Sequence, residues 1–386
     1  MKIFDRYIVR SFLRNYILSF VVLVGLYIAL DMVFNFDELT QGASMQGAEP
    51  DTSTFSTLSL IFNIAEFYFY QTFAFFVQLS GVIPVVAAAF TLVRMMRFNE
   101  LTAMLAAGVP MVRIAIPVVL AGMVMSVLLV VDQELIIPNI THKLVRQHDE
   151  VGQARAASFR VTALEDASGS LLMAARFNPP GFDKDGKRLA ATIEELDIIE
   201  FDKKREPVSH IQASGATYMD EEAVWLLTDG HRQTGLRPAD TPKSTPVAQW
   251  KSDVGPNEIA LYRKSSFVDL LSTSQINNLL EHPRNYGTVP LLRVKHSRIV
   301  QPLTNVLLLL LAIPCILTRE PHALKATATR TVLLTGACMA MVFISFQLAG
   351  RPPTPEMTWY WPALMLWMPI FVFGPIAVWM MERLKT

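Results

Sequence analysis

Six long apolar runs constrain this chain more than any other feature of its sequence. They are Asn15–Phe36, Phe67–Val93, Ile114–Val131, Ile299–Leu317, Thr331–Ala349 and Met357–Met381. A helix that crosses a bilayer needs roughly 20 mainly apolar residues, because each adds about 1.5 Å against about 30 Å of hydrocarbon. Backbone groups cannot stay unpaired in that medium, so the runs are expected to be helical. Asp31 is the one charge in the first run, and the second has none. Pro84, Pro117, Pro314 and Pro369 are expected to be absorbed within helices, where neighbouring groups re-satisfy the freed carbonyls. The first run is too long for a signal peptide and no small-x-small cleavage site follows, so it reads as a retained helix. Before it, Ile3, Phe4, Tyr7, Ile8, Phe12 and Leu13 lie among basic residues, a pattern that suits an amphipathic lead-in at the membrane surface.

Flanking charge sets the expected orientation. Lys2, Arg6, Arg10 and Arg14 precede the first run, and the loop 37–56 carries acids but no Lys or Arg. Arg94, Arg97 and Arg113 follow the second run, Arg319, Lys325 and Arg330 the fourth, and Arg383 and Lys385 the sixth. Every second loop is basic, which places both termini in the cytoplasm and the region from about 139 to 298 outside. Apolar residues make up 52% of the 386, charged residues 18%, and the net charge is zero, so no basic field points to nucleic acid. Cys315 and Cys338 both sit in apolar runs, where they read as packing residues and not as a disulfide or metal pair.

The chain thus divides into an N-terminal transmembrane region (residues 1–138), an outward domain (139–270), a connector (271–298) and a C-terminal transmembrane region (299–386). In the outward domain, Phe159–Ala163 and Leu171–Phe177 flank the turn residues 165–169, a hairpin pattern. Thr192–Phe201 alternates, with Leu196, Ile198 and Glu200 on one face and Asp197, Ile199 and Phe201 on the other. Val208–Tyr218 and Ala223–Thr228 add two strands around the polar turn 219–222. No helical period of useful length is apparent, so an antiparallel β-sandwich or open roll is expected. Its apolar interior suits an ordinary core or a lipid-holding groove, and the pattern alone favours the core. Asp269–Glu281 reads as a short helix leading back to the membrane.

Motifs for chemistry are scarce. Gly181-Phe182-Asp183-Lys184-Asp185-Gly186-Lys187-Arg188 approaches a nucleotide-binding loop, but Arg188 stands where magnesium requires Ser or Thr, and no helix follows. It reads as a turn. His142, His148 and Asp149 lack metal-site spacing and read as a solvated linker. No nucleophile elbow, paired-carboxylate signature or redox pair emerges, so neither a catalytic site, a metal nor a cofactor is expected. The segment 94–113 is more informative. Glu100 precedes a short amphipathic helix, about 97–108, with Leu101, Met104 and Leu105 at helical spacing; Gly108 and Pro110 close it. One reading is a surface helix whose N-terminal dipole Glu100 satisfies. The other is a coupling helix that docks into a cytoplasmic ATPase, and the residues alone leave both open.

With these segments in view, the sequence resembles the LptF/LptG (YjgP/YjgQ) permeases of the lipopolysaccharide exporter. The resemblance rests on Asp5-Arg6-Tyr7-Ile8 before the first helix, Ile83-Pro84, and the run from Asn99 to Gly108. It extends to Ile211-Gln212-Ala213 with Trp225-Leu226-Leu227, and to Lys295–Pro314 with Pro302 and the Ala312-Ile313-Pro314 step. It implies a membrane α-helical protein of six transmembrane helices with an inserted periplasmic antiparallel β-domain, jellyroll-like. It further implies an inner-membrane transport subunit without enzymatic activity of its own. The implied partners are a second homologous permease, a cytoplasmic ABC ATPase and a periplasmic jellyroll bridge, with lipopolysaccharide or a related glycolipid as cargo. Arg97, Glu100, Leu101, Met104 and Leu105 become the expected ATPase-coupling residues, and Ile198, Ile211, Trp225 and Leu227 the expected acyl-chain track. One departure stands out: family members carry Lys or Arg near the outer end of the first helix, where this chain has Asp31, Asp37 and Glu38, which repel a polyanionic headgroup. The competing readings are another ABC-type lipid or lipoprotein permease, a non-transporting scaffold whose β-domain binds a partner, and an intramembrane enzyme.

Overall fold

The computed structural model describes residues 3–35, 54–144, 158–166, 168–182, 188–202, 205–220, 222–235, 241–262, 267–281, 287–317 and 324–384. The lead-in and the first apolar run form one continuous helix, α1 (Ile3–Phe34). The second run does not. It forms α2 (Thr54–Leu79) and α3 (Val82–Arg97), bent by 74° at the break. This corrects the expectation that Pro84 is absorbed in a single helix. Proline has no N–H to offer the carbonyl four residues earlier, that of Ser80, so the ladder is interrupted where Ser80-Gly81 lies. Contacts from α1 nevertheless run in one direction along the pair. Tyr68 bonds Asp31, Phe75 meets Tyr27, Phe76 meets Phe20, Thr91 bonds Asn15 and Glu100 bonds Tyr7.

Helix α4 (Glu100–Ala106) follows, then α5 (Met111–Val131), which runs through a π turn (Asp132–Ile136) into α6 (Ile137–Leu144). The helical rod therefore continues past residue 138, and the first strand begins only at Phe159. The inserted β-domain contains β1 (Phe159–Glu165), β2 (Leu171–Asn178), β3 (Gly181–Phe182), β4 (Arg188–Leu189), β5 (Thr192–Phe201), β6 (Pro207–Met219), β7 (Val224–Thr228), β8 (His231–Thr234), β9 (Lys243–Pro246) and β10 (Gln249–Trp250) among the described residues. A short α7 (Pro256–Tyr262) and a 3-10 turn (Phe267–Leu270) lead to α8 (Thr273–Glu281), so the connector helix starts later than the sequence suggests. The remaining helices are α9 (Thr288–Ile316), α10 (Leu324–Ala349) and α11 (Trp361–Glu382). Met357–Tyr360, expected in the last span, precedes α11; Met357 and Thr358 lie in a separate 3-10 turn. Among the described residues five helices are long and apolar enough to cross a membrane, and six crossings result if the bent pair counts as one. Aromatic residues mark both ends of α11, Trp359 and Tyr360 at one and Trp379 at the other, all exposed. Such belts sit at the two membrane–water boundaries.

One apolar cluster gathers the start of α1 (Ile8, Phe12), the end of α3 (Leu92, Met95), Leu101 of α4, the start of α5 (Met111, Ile114), and Leu317 and Leu384 beyond the ends of α9 and α11. The N-terminal segment and the end of α11 thus meet at the same end of the helical bundle. Pro117 of α5, Pro302 and Pro314 of α9, and Pro369 of α11 are held within their helices. Cys315 and Cys338 are free thiols, the latter fully buried.

The α5–α9 crossing is tight. A Cβ at Gly122 would come 2.1 Å from Leu309 Cδ1, a side chain only 1% exposed. Gly122→Ala is therefore expected to destabilise the bundle by about 1–3 kcal/mol through overpacking. Gly25 has nothing within 4 Å of its notional Cβ, so Gly25→Ala serves as the matched control. Thermal unfolding in detergent separates the two, and equal melting temperatures would contradict the crossing.

The sheet is antiparallel with strand order β1-β2-β5-β6-β7-β10. Strand β6 is long enough to fork, pairing β8 over Ser209–Gln212 and β7 over Gly215–Met219. The β1–β2 turn is held as its residue types demand. Asp166 Oδ1 accepts from the amides of Ser168 and Ser170, and Gly169 takes a left-handed φ of 87°. The near-nucleotide motif is a hairpin whose ends pair as β3 and β4, Gly181 with Leu189 and Phe182 with Arg188; residues 183–187 lie outside the described set. The same holds for His148 and Asp149.

Candidate coupling site and β-domain interior

Helix α4 is set by its ends. Asn99 turns the chain with a left-handed φ of 57°, a conformation Asn tolerates better than most residues. At the other end Gly108 has φ 78°, its amide donates to the Leu105 carbonyl, and that of Val109 donates to Met104. This is a Schellman closure, which requires glycine at the left-handed position. Leu101 is 4% exposed and packs into the shared cluster; Met104 and Leu105 are half-buried against it. The apolar stripe that the sequence assigns to a partner is thus used first to seat α4 on its own protein. Arg97, Phe98, Thr102, Ala103 and Ala106 face outward, with Phe98 64% exposed and within cation–π reach of Arg94. Sequence reading passes over Phe98, although a large aromatic between two helix ends and off the apolar stripe is the signal that could have found it.

Glu100 sits on the same surface, partly exposed, and both of its carboxylate oxygens accept from the Tyr7 hydroxyl, at 3.1 and 2.9 Å. The contact ties the start of α1 to the start of α4. Of the expected coupling residues, then, Arg97 and Glu100 are presented at the surface, Met104 and Leu105 at its rim, and Leu101 inside.

The interior positions of the β-domain form registered layers. Leu172, Ile198 and Ile211 are adjacent across β2, β5 and β6, as are Ala174, Leu196 and Ala213. Ile198 and Ile211 are direct partners, and both are fully buried. Trp225 lies in a different layer between Tyr218 and Trp250, also fully buried, with its indole N–H donating to the Val254 carbonyl at 3.0 Å. Leu227 pairs with Ala216 and packs at the margin. Val254 and Ile259, just before and within α7, close over this cluster. The four expected track residues therefore share one apolar interior, which is closed in this conformation.

The segment that leads from the sheet back to α9 is tied to the π turn by a polar junction. Arg298 of α9 is buried, its guanidinium donating to Glu134 Oε1 at 2.7 Å and to the carbonyls of Gln133 (3.2 Å), Asp269 (3.3 Å) and Leu271. Glu134 also accepts from the amide and hydroxyl of Thr273. Nearby, Lys143 of α6 pairs with Glu66 of α2 at 2.7 Å. Asp31, the acidic group at the end of α1, accepts from Tyr68 and Asn35; Asp37 and Glu38 lie outside the described residues.

Residues 54–383 match the family model for the lipopolysaccharide export system permease LptF/LptG. The chain belongs to this family. Among curated proteins none matches. The family match takes in the bent pair, α4, the inserted sheet and every helix from α9 onward, and begins after α1. It makes the chain an integral membrane transport subunit, with the sheet inserted between its helical halves. Among the LptF/LptG features, the run Asn99–Gly108 corresponds to α4 with its Schellman closure, and Ile211-Gln212-Ala213 with Trp225-Leu226-Leu227 falls in β6 and β7.

Proposed function

We propose that this chain is a permease subunit of an ABC transporter that extracts lipopolysaccharide or a related glycolipid from the inner membrane. It crosses that membrane six times with both termini cytoplasmic, and passes the lipid through its periplasmic, jellyroll-like β-domain toward the outer membrane. The observation that carries the reading is the placement of α4. An LptF/LptG-family permease has to receive work from elsewhere, and the turn from α3 into α4 presents Arg97, Phe98 and Glu100 at the end of the bundle where the N-terminal segment and the end of α11 meet. The basic residues Arg94, Arg97, Arg113 and Arg383 near that end support a cytoplasmic assignment. A second homologous permease subunit, a cytoplasmic ATPase and a periplasmic jellyroll bridge complete the assembly. For an acyl chain to reach Ile198 or Ile211 the roll must part, and its edge strands are the place for it, since β1 pairs only with β2 and β9 only with β8 among the described residues.

Glu100→Ala tests the coupling directly. A charge-assisted contact contributes about 1.5–3 kcal/mol, so ATPase copurification is expected to fall tenfold or more. Membrane insertion should be unaffected, because Leu101 and the Schellman closure still hold α4. Tyr7→Phe removes only the hydroxyl and is expected to have a smaller effect in the same direction. Undiminished copurification together with undiminished glycolipid export would remove Glu100 from the coupling role, whereas an unaltered chain that neither copurifies an ATPase nor supports export would favour a scaffold that binds a partner through its β-domain.

A further inference from the structure

The break between α2 and α3 is held by one side chain from elsewhere. Gln301 of α9 donates through Nε2 to the Val77 carbonyl at 2.9 Å and to Ser80 Oγ at 3.2 Å. These groups border the interrupted ladder, and Ser80 Oγ itself donates to the Val77 carbonyl at 2.8 Å. Gln301 is supported in turn by Gln133 of the π turn, whose Nε2 donates to Gln301 Oε1 at 2.9 Å. Gly81 lets the joint approach α9, since a Cβ there would meet Asn305 Oδ1 at 3.1 Å and Leu308 Cδ1 at 3.3 Å.

The two arms pack mostly against different bodies. The outer arm, α2, places Phe67, Tyr68 and Phe75 against the far half of α1, and Tyr70, Phe73 and Ala74 against Ile137, Leu144 and Leu270, the leads of the β-domain. The inner arm, α3, places Ile83, Ala87, Leu92 and Met95 in the cluster that also seats α4. Around the joint, polar satisfaction is incomplete. Gln133 Oε1, both carboxylate oxygens of Asp132 and the Thr304 hydroxyl are buried without a hydrogen-bond partner. Native interiors satisfy nearly all such groups, so the surroundings of the joint are less fully bonded than an ordinary interior. A broken, glycine-containing joint between two bodies that pack separately, fixed by a side chain from a third element, has the anatomy of a hinge with a latch.

We infer that the Ser80–Gly81 joint is a hinge within the second span and that Gln301 is its latch, a positioning residue that sets the angle between α2 and α3. Movement of α4 reaches the β-domain leads by changing this angle. That last step rests on the coupling role proposed for α4; the hinge itself does not.

The test uses the full chain in nanodiscs of phosphatidylethanolamine and phosphatidylglycerol, with Cys315→Ser and Cys338→Ala as background. Spin labels go on Phe62→Cys and Phe90→Cys, exposed positions on the two arms. These lie about 26 and 12 Å from the joint, so a first 30° of opening from the 74° bend lengthens the label separation by about 4 Å. A single narrow distance distribution is expected with Gln301 in place, and Gln301→Leu is expected to broaden and shift it by at least that amount. An unchanged distribution overturns the latch. Should Gln301→Leu fail to accumulate, Gln133→Leu removes only the support of the latch and carries the same expectation in reduced size; no broadening there overturns it equally. The readout needs neither ATPase nor glycolipid, so a rigid joint would leave the transport reading intact, and a failed Glu100→Ala test would leave the hinge intact.

Discussion

Arg298→Met is expected to destabilise the chain by about 3–5 kcal/mol, the cost of breaking a buried ion pair by removing one partner. Methionine fills much of the same volume, so the loss is chiefly polar. Glu134 loses its cation while remaining largely enclosed, and the carbonyls of Gln133, Asp269 and Leu271 lose their donors. Arg298→Lys should not rescue, because one ammonium cannot reproduce a planar fork aimed at several acceptors. Glu134→Gln should cost less, since Thr273 and the guanidinium can still bond an amide oxygen. Thermal unfolding in detergent, with limited proteolysis of the connector, reads the series. A melting temperature for Arg298→Met indistinguishable from that of the unaltered chain would show that the junction is not structural.

The second large effect belongs to the β-domain. Trp225→Ala is expected to cost about 3–5 kcal/mol, the range for truncating a fully buried aromatic. Its ring contacts Tyr218, with centroids 5.0 Å apart, and its indole N–H is bonded to Val254, so the cavity and the unpaired Val254 carbonyl act together. Leu227→Ala, at the margin of the same interior, is expected to cost distinctly less. Hydrogen exchange of β6 and β7 in the full chain should accelerate sharply in the tryptophan variant and leave α3, α5 and α9 protected. Uniform acceleration across helices and sheet would instead mean that the two regions unfold as one unit. The same result bounds any search for bound lipid. A crosslinker at Ile198 or Ile211 reports on acyl chains only if the roll survives the replacement.

Much of this architecture was legible because its signals are local. Alternation placed β1, β2, β5, β6 and β7, and turn residues placed the β1–β2 hairpin and the Gly108 closure of α4. Strands β8 and β9 were missed because His231–Thr234 and Lys243–Pro246 are polar throughout; their pairing is directed by β6 and leaves no apolar imprint. The break at Ser80-Gly81 was missed for the opposite reason, since an apolar run reads the same whether its helix is straight or bent. Leu101 was expected among the coupling residues, but an amphipathic stripe says that a helix has a partner without saying which, and here Leu101 packs into its own bundle. The contacts that organise the sites join residues distant in sequence, Tyr7 with Glu100 and Glu134 with Arg298, separated by 93 and 164 positions. No window along the chain contains both members of either pair.

That second separation bears on how the chain is made. On the proposed orientation everything between Glu134 and Arg298, the whole roll included, has to be exported before α9 can settle. The Arg298–Glu134 pair therefore closes only after that segment is across, over a loop whose closure entropy grows only slowly with its length. Until then Glu134 lacks its cation at the margin of the membrane, where an unpaired carboxylate is costly. On that orientation the ion pair joins the two ends of the exported segment, and forms only once the β-domain between them is across.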